Sequence, residues 1–247
     1  GTQFLQAVGA AEAGRYAQTN GLELAFKSDE VIYVSTGDGT TSEGEFFESL
    51  NTACNLKLPV LYLVEDNGYA ISVPVEVQTA GGSISRLVGE WPDLFHRQAD
   101  GSNFLDCYEA LLEATNYCRQ RRGPALVHVK VTRPYSHSLS DDESFYKTAV
   151  ERQQEASRDP LVCTRAYLLT EGLASEEVLA RLEAECEQVV TSAAEEAERH
   201  PAAGPETLSH HIYSMDVDPT AEAFFHPPTF EGEPTTMVDL INACLRD

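Results

Sequence analysis

A parallel α/β sheet flanked by helices is the fold class this 247-residue chain predicts, on three observations. Short apolar runs at 31–36, 60–64 and 125–131 have the length and β-branched character of buried strands. Helical periodicity fills the stretch between the first two runs and the stretch before the third. The first two runs stop at glycine-bearing turns, Gly37-Asp38-Gly39 and Asp66-Asn67-Gly68. Strand, turn, helix and strand in that order make a βαβ unit with a right-handed crossover.

The elements follow in order. Residues 1–18 are rich in Ala and Gly and predict a helix with Phe4, Leu5, Val8, Ala11 and Ala13 on its buried side. Gly9 and Gly14 cost helix propensity, which suits a close approach by another backbone or a ligand. The strand VIYVST at 31–36 comes next. Ser42-Glu43-Gly44-Glu45 has a capping-box pattern, with Ser42 capping and Glu45 reaching back. Phe46, Phe47, Leu50, Ala53 and Cys54 then recur at helical spacing until Leu58-Pro59. VLYLV at 60–64 is the second strand, and residues 72–101 read as irregular.

Residues 103–122 predict an amphipathic helix carrying Phe104, Tyr108, Leu111, Leu112, Thr115 and Cys118 on one face, broken by Gly123-Pro124. ALVHVKV at 125–131 is the third strand. Residues 132–146 form a polar loop rich in Ser, His and Asp, whose plain reading is a surface turn with Ser140 or Asp141 starting the next helix. Two further helical stretches reach His200. Residues 201–234, rich in Pro, Thr, Glu and His, read as a linker. Residues 235–246 open a new amphipathic helix that stops in mid-element, and the first segment already reads as a helix interior, so both ends look cut.

The formal net charge is -23, which repels nucleic-acid phosphates and anionic membrane surfaces and argues against either as a partner. The acidity gathers at 171–187 and 195–198, where it reads as a solvated helix face. No apolar run approaches the length that spans a bilayer. Six cysteines sit singly, without C-x-x-C pairs or Cys/His clusters, so reduced thiols in a cytoplasmic setting are expected. An acidic chain handles an anionic ligand best through a local cation.

Such a site is visible at the ends of the first two strands, where ligands of parallel sheets bind. Asp38 lies between two glycines and Asn67 before a third. On neighbouring strands their oxygens would meet in one crevice, a hard-oxygen set that suits magnesium. Gly37 and Gly39 would let backbone N–H groups approach a diphosphate, with the N-terminus of the following helix adding its dipole. Each turn alone is also ordinary turn chemistry. His128 alternates along a strand and reads as a hydrogen-bonded core residue. His200, His210, His211 and His226 read as surface groups, the adjacent pair being a weak metal hint.

The run GDGTTSEGEFFESLNTACNLKLPVLYLVEDNGYAIS resembles the alpha-subunit signature of the decarboxylating component of thiamine-diphosphate-dependent 2-oxoacid dehydrogenases. QFLQAVGAA, VPVEVQTAG, the Asp100-Gly101 turn, GPALVHVKVTRPYSHSLSDDESFY and DPLVCTRAYL extend the similarity over about four-fifths of the chain. The resemblance implies the thiamine-diphosphate-binding fold. Residues 1–200 would be a diphosphate- and Mg2+-binding domain lacking its upstream part, 201–234 a linker, and 235–247 the start of a pyrimidine-binding beta-like half.

It also implies roles. Asp38 and Asn67 would be side-chain magnesium ligands, Tyr69 would lend its backbone carbonyl, and Gly39 and Thr40 would offer N–H groups to the diphosphate. Arg133, His137, Asp141 and Tyr146 would belong to a loop closing over the cofactor channel. His137 would assist acyl transfer to a lipoyl arm, a task that suits an imidazole. Arg133 and Asp141 would pair to order that loop, and Ser138 takes the place phosphorylated in animal members. The family pair is usually Asn-Asn; here it is Asp66-Asn67, and the extra carboxylate would repel diphosphate if it faced the site.

The glutamate that activates the cofactor's ring belongs in the family to the beta subunit or beta half. The implied partners are therefore that half and the lipoyl domain of an acyltransferase component, in a homo-oligomer of the full-length chain. The reaction implied is oxidative decarboxylation of a 2-oxo acid, pyruvate and branched-chain acids fitting equally, and the fragment alone would be inactive. Another thiamine enzyme (acetoin dehydrogenase or transketolase) and a non-catalytic interaction module are the alternatives.

Overall fold

The structure, a computed structural model, describes residues 1–22, 29–212, 216–218, 220–225 and 235–244. It opens with helix α1 (Gln3–Thr19), strand β1 (Ile32–Gly37), a 3-10 turn (Gly39–Ser42), helix α2 (Gly44–Leu56) and strand β2 (Val60–Asp66). A small hairpin of β3 (Tyr69–Ala70) and β4 (Val73–Pro74) leads into short helices α3 (Val75–Gln78) and α4 (Ile84–Val88). Strand β5 (Phe95–Asp100), helix α5 (Phe104–Arg119) and strand β6 (Ala125–Lys130) complete the sheet. Helices α6 (Ala149–Ser157), α7 (Pro160–Thr170), α8 (Glu176–Arg199) and α9 (Met237–Cys244) follow.

The expected α/β class holds. Strands lie in the order β1-β2-β6-β5 and every pairing is parallel. The β1-to-β2 and β5-to-β6 connections run in opposite directions across the sheet, so right-handed crossovers set α2 and α5 on opposite faces. Successive residues of β2 divide accordingly. Val60, Tyr62 and Val64 pack with Phe4, Phe46 and Leu50, while Leu61 packs with Ala110, Ala114 and Cys118. Cover on both faces is why β2 and β6 read as unbroken apolar runs.

Several elements differ from their sequence reading. Residues 72–101 contain α3, α4 and β5. Strand β5 escaped notice because it is an edge strand, FHRQAD, in which only Ala99 is buried. In α1, Phe4, Val8 and Ala11 are buried as expected, but Leu5 and Ala13 are exposed. Among the described residues a Cβ on Gly9 would meet nothing within 4 Å, so none of them explains that glycine by a close approach.

Of the face expected for α5, Cys118 is buried and Leu111 packs against the sheet, but Ala110 and Ala114 complete the buried stripe while Phe104, Tyr108 and Leu112 face outward. Ser42 does not cap α2. Glu43 holds the cap position without a side-chain bond, and Ser42 Oγ donates instead to the Gln78 carbonyl at 3.2 Å. Asp142, rather than Ser140 or Asp141, caps the 3-10 turn Glu143–Phe145. Three helices, not two, lie between that turn and His200.

Contacts divide the chain into two compact units, Gly1–Glu183 and Ala184–Asp247. The sheet and everything described below belong to the first. The second contains the end of α8, 3-10 turns at Pro205–Ser209 and Glu222–Phe224, and α9. His226 and the parts of the expected linker and final helix at 213–215, 219, 226–234 and 245–247 lie outside the described residues. Among the described residues no helix is long and apolar enough to cross a membrane. All six cysteines are free; Cys54 and Cys118 are buried as small hydrophobes, whereas Cys186 and Cys244 are exposed.

Candidate functional site

Parallel pairing brings the carboxyl ends of the strands to one edge of the sheet. Past Gly37 at the end of β1, Asp38 turns the chain into the 3-10 turn. Its side chain is buried. Oδ2 accepts a hydrogen bond from Gln78 Nε2 at 2.7 Å, while Oδ1 is buried without a hydrogen-bond partner among the described residues. Burial first, and then the nearby Asp66 charge, raise the Asp38 carboxyl above the usual carboxylate range. Backbone N–H groups of Asp38 and Asn67 and the Gln78 amide act against that rise. A buried carboxylate oxygen left open is costly unless a donor or cation meets it.

The glycines on either side differ. A Cβ on Gly39 would stand 2.6 Å from the Ala70 Cβ, so β3 closes on this turn only over a glycine. A Cβ on Gly37 would meet only the Glu65 carbonyl, at 3.9 Å. Gly39 and Thr40 open the turn, where helical geometry offers their N–H groups no earlier carbonyl.

Two consecutive side-chain turns form the end of β2. Asp66 Oδ1 accepts the Gly68 N–H at 2.8 Å, and Asn67 Oδ1 accepts the Tyr69 N–H at 3.1 Å. Gly68 has a φ of 83°, a left-handed conformation that favours glycine. Oδ2 of Asp66 accepts from His128 Nε2 at 2.8 Å and from Lys130 Nζ. His128 is fully buried, as a hydrogen-bonded core residue. Its Nδ1 lies 2.5 Å from Ser85 Oγ, which lies 2.8 Å from His96 Nε2. A carboxylate only accepts, so with neutral rings the hydrogens run one way: His96 to Ser85, Ser85 to His128, His128 to Asp66. Burial alone would raise the Asp66 carboxyl, but the His128, Lys130 and Gly68 hydrogen bonds hold it at about 2. Both of its oxygens are engaged.

The loop after β6 anchors beside these turns. Arg133 donates to the Ile71 carbonyl at 2.9 Å and to the Tyr146 hydroxyl at 2.6 Å. Tyr146 in turn donates to Asp141 at 2.6 Å, so the expected Arg133–Asp141 pair is bridged by a phenol. Asp141 also accepts the His137 backbone N–H at 2.8 Å; the His137 imidazole is exposed. The Tyr146 ring lies 5.6 Å from the Tyr69 ring. Tyr69 donates to Glu151 at 2.7 Å, and burial followed by that carboxylate pushes its phenol up to about 12. Lys147, buried against Glu155 at 2.6 Å, sits 5.2 Å from the Tyr69 ring. Ile71, at φ 58°, is a β-branched residue in the left-handed region, and its carbonyl is the one that Arg133 contacts.

Asp38, Asn67, Tyr69 and the anchor of the loop are thus brought together, and His137 joins through its backbone. Gln78, Lys147 and Glu151 were missed. No spacing ties residue 78 to residue 38, and a lysine buried between two glutamates reads in sequence as part of a polar run. Among the described residues no group of three or more His, Cys, Asp or Glu is placed to hold a metal. Any cation here would rely on one carboxylate with amide and backbone oxygens.

A cavity of about 550 Å³ opens at the ends of β2, β5 and β6, lined in part by Asn67, Gly68, Asp100, Lys130, Glu155 and Arg158. Another, of about 470 Å³, involves Arg15, Lys57 and Arg121 near the ends of α1, α2 and α5. There Arg15 donates to the Leu56 carbonyl, the usual service of a cation at a helix C-terminus, and none of the residues above takes part.

A parallel α/β domain with paired Asp and Asn loops at its strand ends is the class that fold and site define. The family described as the dehydrogenase E1 component matches residues 1–206, and the chain belongs to that family. It is 36% identical over 215 residues to the 2-oxoisovalerate dehydrogenase subunit alpha of Bacillus subtilis (strain 168), covering 86% of this chain and 62% of that protein. It is 34% identical over 200 residues to the somatic, mitochondrial pyruvate dehydrogenase E1 component subunit alpha of Homo sapiens, covering 79% of this chain and 50% of that protein. The corresponding subunit of Sminthopsis macroura is 32% identical over 200 residues, 79% of this chain and 54% of its own. The chain thus spans between half and two-thirds of the length of these relatives.

Proposed function

We propose that this chain supplies the diphosphate- and magnesium-binding part of a thiamine-diphosphate-dependent enzyme that oxidatively decarboxylates a 2-oxo acid and passes the acyl group to a lipoyl domain. One observation carries the reading: the buried Asp38 carboxylate, with Oδ1 unpartnered among the described residues, stands beside the Asn67 turn at the ends of adjacent strands. That donor set fits a hard divalent cation bound along with phosphate oxygens. Asp38 and Asn67 would be its side-chain ligands and Tyr69 would give a backbone carbonyl, while Gly39 and Thr40 would direct N–H groups at the diphosphate. When bound, thiamine diphosphate supplies the electron sink for decarboxylation.

The chain's own residues bind, order and exclude. Arg133, Tyr146 and Asp141 hold the loop onto Tyr69 and Ile71, and His137 on that loop would move a proton during acyl transfer. The activating glutamate is assigned to a beta half or beta subunit, the lipoyl domain to an acyltransferase component. Residues 201–234 are read as a linker and 235–247 as the opening of the beta-like half, within a homo-oligomer. The named relatives act on 2-oxoisovalerate and on pyruvate, so both substrate classes are carried forward. A reducing compartment, here proposed as the cytoplasm, suits the six free thiols.

Calorimetric titration of the full-length protein with thiamine diphosphate, with and without magnesium, tests the reading. Magnesium-dependent binding is expected, followed by turnover of pyruvate or a branched-chain 2-oxo acid with an artificial electron acceptor. Absence of cofactor binding in both conditions would sink it.

A further inference from the structure

Helix α3 touches both ligand loops. Its first N–H, that of Val75, donates to the Gly68 carbonyl at 2.9 Å, tying the helix to the Asn67 turn. Its last residue, Gln78, donates through Nε2 to Asp38 Oδ2 at 2.7 Å. The backbone of Gln78 is held in turn by Ser42 Oγ, which donates to its carbonyl at 3.2 Å from the far end of the 3-10 turn. A carboxylate accepts and never donates, so the amide nitrogen, not the amide oxygen, faces Asp38. The consequence is asymmetric: Oδ2 is taken and Oδ1 remains buried and open.

We propose that Gln78 is a positioning residue that restricts Asp38 to one-oxygen coordination and so selects magnesium over calcium at this site. This rests on the magnesium reading given above. Calcium accepts six to eight oxygens and readily takes both oxygens of a carboxylate, whereas magnesium demands a compact octahedron with single-oxygen ligands. A donor fixed on Oδ2 denies calcium the second oxygen at no cost to magnesium. Partners of ligands also orient them, and losing one typically lowers metal affinity about ten- to a hundred-fold. Gln78 is half-buried, and its side chain can be changed without opening the core.

The test is a calorimetric titration of magnesium and, separately, calcium into the full-length protein in the presence of excess thiamine diphosphate. Wild type is compared with Gln78→Met, which keeps the shape and removes the donor, and the thermal midpoint of each is measured alongside. Magnesium affinity of the variant should fall about ten- to a hundred-fold. Calcium affinity should fall far less, so the magnesium-to-calcium preference shrinks while the melting temperature of the metal-free protein is kept. A purely structural role for Gln78 would weaken both ions together. If Gln78→Met does not fold, Gln78→Leu poses the same question, because it too removes the donor to Oδ2 without adding a charge. A folded variant with an unchanged preference overturns the inference while wild-type binding leaves the functional reading intact. A wild type that takes up neither ion overturns the functional reading, and this inference with it.

Discussion

Asp66 and Asn67 are chain neighbours with side chains turned to different work. Asn67 folds back on the Tyr69 N–H, beside Asp38, while Asp66 is drawn toward β6 by His128 and Lys130. Both oxygens of Asp66 are thus engaged within the protein, although its charge still acts on Asp38. Asp66→Asn keeps an acceptor for Gly68 but loses the ionic partner of Lys130 and the carboxylate acceptor of His128. Cofactor affinity should change little, and stability should fall by about 1–3 kcal/mol as measured by urea unfolding. The pH dependence has a definite sign. The folded carboxyl titrates at about 2, below its ordinary value of about 4 in an unfolded chain. Its stabilisation is fully present above the higher value and disappears as pH falls toward the lower one. Wild type and Asp66→Asn should thus differ in stability at pH 6 and converge between about pH 4 and 2. A large loss of cofactor binding in this variant would mean that Asp66 faces the site after all.

Among the elements, α2 and α5 show how far periodicity reaches. In α2 the expected Phe46, Leu50, Ala53 and Cys54 are buried, since its apolar stripe is narrow and has one sheet face to meet. In α5 two apolar stripes exist, one of large side chains and one of small. The small one, Ala110, Ala114 and Cys118, packs on the sheet because short side chains let the helix approach β2, β5 and β6 closely. Ala114→Leu should then overpack the interface and cost about 1–3 kcal/mol. Leu112→Ala, on the outward face, should stay within about 0.5 kcal/mol. Chemical denaturation of the two variants decides the matter; the reverse order would put the large side chains Phe104, Tyr108 and Leu112 inside. The same limit applies to β5, whose polar edge-strand pattern carries no period that a single sequence can separate from a loop.

For the molecule as a whole, stability should follow position in the sheet. β2 and β6 each have a strand on both sides and cover on both faces, whereas β1 and β5 have one neighbour each in the described sheet. Amides of β2 and β6 should exchange only through global unfolding, and those of β5 through smaller openings. Hydrogen-exchange mass spectrometry on the full-length protein would measure this, and equal protection across the four strands would contradict it. The two ligand turns hang from β1 and β2, so one side of the proposed metal site rests on the more protected core.

By itself the sequence determined the α/β class, the three apolar strands, the two glycine turns and the candidate ligands Asp38 and Asn67. These are local signals: runs of apolar residues, turn chemistry and a long motif. Only the tertiary structure decided that Ala110 and Ala114 rather than Phe104 and Tyr108 of α5 lie inside, that Asp66 is hydrogen-bonded by His128 and Lys130, that Tyr146 bridges Arg133 to Asp141, and that Gln78 occupies one oxygen of Asp38. Each of those facts depends on side chains from separate elements meeting in space. Such meetings are settled by sheet order and packing, for which no spacing along one chain provides a measure.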